Sequence, residues 1–153
     1  MSDLSLSRRI TLAQSVIAKN LISGYRGTDY QIGADFDSIS LRIDQYSEPF
    51  AKLLTASKHP CAAIISAYNP CSQLQSNEEN LAAHESLKNY FGRHSYLMIE
   101  SLNIDPTDLW PAEKSFFVLS LDLSTAKLLG QQFKQNAIVW IGSDAIPRLI
   151  LLR

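Results

Sequence analysis

The feature that most constrains this chain is residues 62–68, Ala-Ala-Ile-Ile-Ser-Ala-Tyr, a nearly unbroken run of small and apolar side chains closed by Asn69-Pro70. A strand with one wet face alternates polar and apolar residues. A run without alternation reads as a strand buried on both faces, hence a central one. Such a strand needs covering layers on both sides. With 153 residues, 46% of them hydrophobic and 19% charged, the chain has ordinary globular composition. At this length a domain buries roughly 70% of its unfolded surface without staples. We therefore expect residues 1–153 to form a single globular domain.

The remaining elements follow from periodicity and punctuation. Ile10, Ala13, Val16, Ile17 and Leu21 recur at helical spacing, with Ser7 suited to cap the start and Gly24 to end the helix. Residues 28–32 and 38–43 read as strands of a hairpin around Gly33-Ala34-Asp35. Ser47 caps a short helix to about Ala56, with Glu48 and Pro49 in its first turn. After the central run, Asn77 is the expected cap of a helix with Glu78 and Glu79 in its first turn, reaching about Phe91 before Gly92. Strands are expected over 96–101 and 115–121, separated by a loop. A helix capped by Ser124 should end near Phe133, and strands over 137–141 and 147–152 should complete the set. The order α-β-β-α-β-α-β-β-α-β-β contains strand–helix–strand units beside adjacent strands. It predicts an α+β fold, a mixed β-sheet with helices packed on it.

Charge and cysteine usage narrow the function. With 14 basic and 15 acidic residues the formal charge is −1. The basic excess expected of a nucleic-acid-binding protein is lacking, so no nucleic-acid partner is expected. Two cysteines, Cys61 and Cys71, are too few for a disulfide framework and read as buried small side chains in a reducing compartment. Together with His59 and His84 they match no zinc-ligand spacing, so no metal or other cofactor is expected. Arg8-Arg9 superficially resembles a twin-arginine signal, but Gln14, Ser15, Lys19 and Asn20 interrupt the stretch that would have to be apolar. No stretch reaches the roughly 18 apolar residues of a membrane span. A cytoplasmic location without a membrane partner is expected.

Several polar residues stand where an apolar scaffold does not ask for them. The inward stripe of the third helix, Ala83, Leu87, Tyr90 and Phe91, extends back through His84 to Asn80. A buried amide must find partners or cost roughly 1–3 kcal/mol. Asn80 therefore either ties down the preceding loop or faces a pocket at the helix start, where free N–H groups favour an anion or a carbonyl. Asn69 sits at the carboxyl end of the central run, where ligands gather in open sheets, and its following proline favours an extended backbone. Its alternative role is an Asx turn. Trp110 either covers the core edge or stacks on a ligand. Glu113 precedes Ser115-Phe116-Phe117-Val118-Leu119; burial beside so much apolar surface would raise its pKa and suit it to acid–base work. Gln135-Asn136 sits at a helix end. Phosphate-loop, zincin, nucleophile-elbow and C-x-x-C signatures do not occur.

These residues carry a resemblance. Thr28-x-Tyr30, Ala67-Tyr68-Asn69-Pro70, Glu79-Asn80, Trp110-Pro111-x-Glu113-x-Ser115 and Phe133-x-Gln135-Asn136-Ala137 resemble, in order and spacing, the family catalogued as domain of unknown function 3293. Its members are small stand-alone bacterial proteins. Ser66 stands where the family carries threonine, an exchange of one hydroxyl for another. The resemblance implies a compact domain with a polar cluster and supplies no reaction.

Two functions of different class fit. In the first, Asn69, Asn80 and Gln135 orient a small polar metabolite, Trp110 or Tyr30 stacks on it, and Glu113 is the one acid–base candidate of a metal-independent enzyme. In the second, the same residues lock loops, and the final strand binds a protein partner or a second copy without catalysis. The two diverge on whether Asn69, Asn80, Glu113 and Gln135 face one open concave pocket or make separate buried loop contacts. A shared pocket requires the strand after Glu113 to run antiparallel to the central strand.

Overall fold

A computed structural model describes residues 16–33 and 38–153. It contains four α-helices and seven strands in the expected order: α1 (Lys19–Gly27), β1 (Asp29–Ile32), β2 (Ile39–Leu41), α2 (Glu48–Ser57), β3 (Ala62–Ile65), α3 (Asn77–Arg93), β4 (Met98–Ile104), β5 (Glu113–Leu119), α4 (Leu123–Gln132), β6 (Ala137–Ile141) and β7 (Pro147–Leu151). The strands form one sheet in the order β2-β1-β4-β5-β3-β6-β7. The strand read as central lies inside it, and all four of its residues are buried.

The sheet is antiparallel throughout rather than mixed. Of the three strand–helix–strand units, the two around α3 and α4 are each split by one strand. β3 and β4 run in the same direction with β5 between them, and β5 and β6 run in the same direction with β3 between them. Each helix crosses over one strand, and the strand filling the gap is antiparallel to both neighbours.

Alternation along the sheet divides the core into two layers. Ala62, Ile64, Phe117, Leu119, Val139 and Ile141 face α2, where Phe50 meets Phe117 edge-on at 5.4 Å. Ala63, Ile65, Phe116, Val118 and Ile138 face α3 and α4, which contribute Leu87, Phe91, Ala126 and Leu129. A fully buried aromatic or aliphatic side chain contributes about 1.5–3 kcal/mol, and Phe50, Phe91, Phe116 and Phe117 are all fully buried.

Local signals shifted some boundaries. Ser7, Ile10 and Ala13 lie outside the described residues, as do Ala34 and Asp35 of the expected turn. Val16 and Ile17 precede α1, and Gly24 lies within it. The helix runs on to Gly27, and the Thr28 hydroxyl donates to the Gly24 carbonyl. Ser47 caps α2 as expected, accepting from the Phe50 N–H. The cap of α3 is Ser76 rather than Asn77, because Ser76 and Glu79 form a reciprocal capping box. That helix passes through Gly92 to Arg93. Asp122, not Ser124, stands at the start of α4. β4 begins two residues later than expected and β5 two earlier, which makes Glu113 the first residue of a strand.

Candidate functional site

Antiparallel pairing of β3 and β5 brings the end of the first to the beginning of the second. Asn69 and Glu113, far apart in sequence, meet there. Asn69 Nδ2 donates to Glu113 Oε2 at 2.8 Å, and Trp110 Nε1 donates to the same oxygen at 2.8 Å. Asn80 enters from the first turn of α3. Its Oδ1 accepts from the Asn69 N–H at 2.9 Å and from Gln75 Nε2 at 2.8 Å, and its Nδ2 donates to Asn69 Oδ1 at 3.0 Å. Asn69 Oδ1 also accepts from the Gln75 N–H. Asn69, Asn80, Glu113 and Trp110 therefore form one connected network. Asn69 and Asn80 are buried within it, while Trp110 and Glu113 are half-buried.

Asn69 is not extended, as its proline neighbour would favour, but left-handed at φ 45°. Asparagine tolerates this region better than most residues. Here its backbone N–H and both ends of its amide are engaged, enough to hold a disfavoured conformation. Cys71 and Ser72 are left-handed as well, so the loop from β3 to α3 is strained at three positions.

Gln135 approaches from the end of α4 and donates from Nε2 to the Tyr68 carbonyl at 3.1 Å, one residue before Asn69. It braces the loop without touching the carboxylate. Tyr30 lies in the same cross-strand row as Glu113, through Asn103: Tyr30 pairs with Asn103, and Asn103 with Glu113. Its ring is buried and its hydroxyl donates to the Tyr25 carbonyl, so it packs in the sheet rather than standing free to stack.

That row exposes Asn103 and Ser101, which the sequence did not single out. Asn103 Oδ1 accepts from Ser115 Oγ at 2.7 Å, and Ser115 Oγ contacts Ser101 Oγ at 2.8 Å. Glu113, Asn103, Ser115 and Ser101 thus make a polar strip on the α2 face of the sheet. No sequence signal marks it, because the residues come from two strands and meet only through register. Two polar groups on the strip remain unused among the described residues. Both donors to Glu113 engage Oε2 and none engages Oε1, while Asn103 Nδ2 has no acceptor. Since the two residues are directly paired across β4 and β5, their Cβ atoms are about 5 Å apart. A free acceptor and a free donor are thus carried by two residues paired across the strands.

Electrostatics at the site follow burial. The Glu113 carboxyl is pushed above the ordinary carboxylate range by burial, with the bonds from Asn69 and Trp110 pulling the other way. Burial, then the Glu113 charge, raises the Tyr68 hydroxyl. Among the described residues no three His, Cys, Asp or Glu side chains cluster as metal ligands. Cys61 lies just before β3 and Cys71 beyond its other end, and both are free thiols. Clefts of about 410 and 430 Å³ lie between β2 and α2 and beside the end of α3, and neither includes a residue of the network.

Two further contacts lie away from this network. His59 Nδ1 and Ser120 Oγ meet at 2.5 Å near the surface. His84, one turn beyond Asn80, is buried, stacks on Phe116 at 4.2 Å and lies 3.6 Å from Glu100 Oε1, yet neither ring nitrogen has a hydrogen-bond partner. No described helix is long and apolar enough to cross a membrane.

Fold and network together define an α+β domain in which an antiparallel sheet carries a hydrogen-bonded amide–carboxylate cluster at one end. Residues 65–138 match the family described as protein of unknown function (DUF3293), as the motif resemblance implies. The matched segment contains Asn69, Asn80, Asn103, Trp110, Glu113 and Gln135. No curated protein and no solved structure matches the chain.

Proposed function

We propose that this domain binds a small polar ligand at the end of the sheet, and that the ligand carries a carboxamide-like group. The observation that carries the reading is that two cross-strand partners each leave a polar atom unused, Glu113 Oε1 and Asn103 Nδ2. A ligand carbonyl accepting from Asn103 and a neighbouring N–H donating to Glu113 satisfies both. Asn69 and Asn80 act as the floor that holds the carboxylate in place, Gln135 braces the loop, and Trp110 and Tyr30 flank the site. Glu113 is the acid–base candidate, a carboxyl that burial holds above the ordinary carboxylate range. A metal-independent enzyme acting on an amide-bearing metabolite is the catalytic form of this reading.

The test is a thermal-shift panel of primary carboxamides, ureas and amino-acid amides, each beside the matched ester or acid. At least one amide should stabilise the wild type, its ester should not, and the shift should disappear in Glu113→Gln and Asn103→Leu. No shift from any amide, or shifts that survive both substitutions, would overturn the proposal.

A further inference from the structure

β2 and β7 are the two edges of the sheet. Edge strands present unpaired backbone groups, and proteins guard them with short length, charge, proline or bulges. β2 is guarded by length, with three residues. β7 has five residues, Pro147-Arg148-Leu149-Ile150-Leu151, three of them consecutive, apolar and half-buried. Its one charge is turned aside, because Arg148 is engaged with Asp144 at 2.7 Å.

The ladder defines which groups point outward. Leu152 N–H donates to the Asn136 carbonyl. By the alternation of antiparallel pairs, Ile150 and Arg148 then bond to β6, and Pro147, Leu149 and Leu151 point away from it. The Asp44 N–H donates to the Pro147 carbonyl from outside at 2.7 Å, as this assignment requires. The edge is therefore closed at Pro147 by the chain itself. At Leu149 and Leu151 two N–H and two C=O groups have no partner among the described residues.

We propose that a second copy of this chain pairs with β7 about a two-fold axis through Ile150. In this register Ile150 faces Ile150 of the second copy, and Leu149 faces its Leu151. The outward groups of the two strands then form four main-chain hydrogen bonds and leave none of those groups unpaired. Sliding the axis to Leu149 would place Leu151 opposite Pro147, which has no N–H and whose carbonyl is already engaged. The odd-numbered side chains extend the α2-side layer and the even-numbered ones the α3–α4 layer, so apolar surface meets apolar surface on both faces. The pairing uses none of Asn69, Asn80, Asn103, Trp110 and Glu113 and stands independently of the ligand reading.

Sedimentation velocity over a dilution series of the full chain tests it, with hydrogen exchange measured in parallel. The sedimenting mass should double with concentration, and the Leu149 and Leu151 amides should become protected over the same range. Leu149→Pro removes an outward N–H and leaves the β6 ladder intact; it should remain folded by circular dichroism and be monomeric. Should that variant unfold, the wild-type exchange data decide alone. A monomer at every concentration, or a dimer in which the Leu149 and Leu151 amides exchange as fast as in the dilute protein, would overturn the proposal.

Discussion

Asn69 and Asn80, eleven residues apart, hold each other reciprocally: the Asn69 backbone N–H donates to Asn80 Oδ1, and Asn80 Nδ2 donates to Asn69 Oδ1. The first bond fixes a left-handed backbone position, and the second turns the Asn69 amide so that its own N–H reaches Glu113. A helix start, a strained loop and a strand start are joined through two side chains.

Removing one of those side chains should be costly. Asn80→Ala leaves the Asn69 N–H, the Gln75 amide and one lone pair of Asn69 Oδ1 without their partner. A loss of roughly 1–3 kcal/mol is expected, read from urea midpoints at unchanged m-value. A change below a few tenths of a kcal/mol would show that these bonds are replaced by water.

The Glu113 carboxyl has a raised pKa in the folded state. The native protein therefore holds its proton at higher pH than the unfolded chain does. The corresponding stability is fully present below about 4.3, the unfolded carboxyl value, and is lost as pH rises through the folded value. Glu113→Gln keeps an oxygen to accept from Asn69 and Trp110 but does not titrate. The wild type minus this variant should show stability falling with rising pH across that window. A flat difference would place the carboxyl at its ordinary value.

His84 should have the opposite slope. Burial lowers its pKa, with Glu100 opposing, so the folded state favours the neutral ring. The corresponding stability is present above about 6.5 and declines as pH falls towards the lowered folded value. His84→Phe retains the stack on Phe116 and removes two unpartnered nitrogens. It should be neutral or stabilising at pH 7 and abolish this acid-side slope. An NMR titration placing the His84 ring above its ordinary value would contradict the sign.

Gly130 sits on the buried face of α4. A Cβ there would collide with Leu152 Cδ1 and approach Ile138 Cγ2 at 2.8 Å. Helix propensity favours alanine by about 1 kcal/mol, but overpacking costs roughly 1–3 kcal/mol. Because Ile138 is buried and cannot yield freely, overpacking wins. Gly130→Ala should lower Tm; a raised Tm would mean that the Leu152 side chain moves aside.

The element order, the buried central strand and the inward placement of Asn80 were all legible in the sequence, because each is written in local periodicity. Residues 62–68 could not alternate, and the α3 stripe could not exclude Asn80. Strand neighbours were not legible. A strand–helix–strand run reads the same whether its strands touch or are split by a third, and that ambiguity separates a mixed sheet from this antiparallel one. The meeting of Asn69 with Glu113 was conditional on the same choice, and antiparallel pairing of β3 with β5 decided it. Asn103 carried no signal at all, since its role comes from register: a shift of one residue in β4 would turn its side chain to the other face. Local sequence determines which segments are helix or strand and which faces are apolar; the polar cluster exists only because long-range pairing sets distant strand ends side by side.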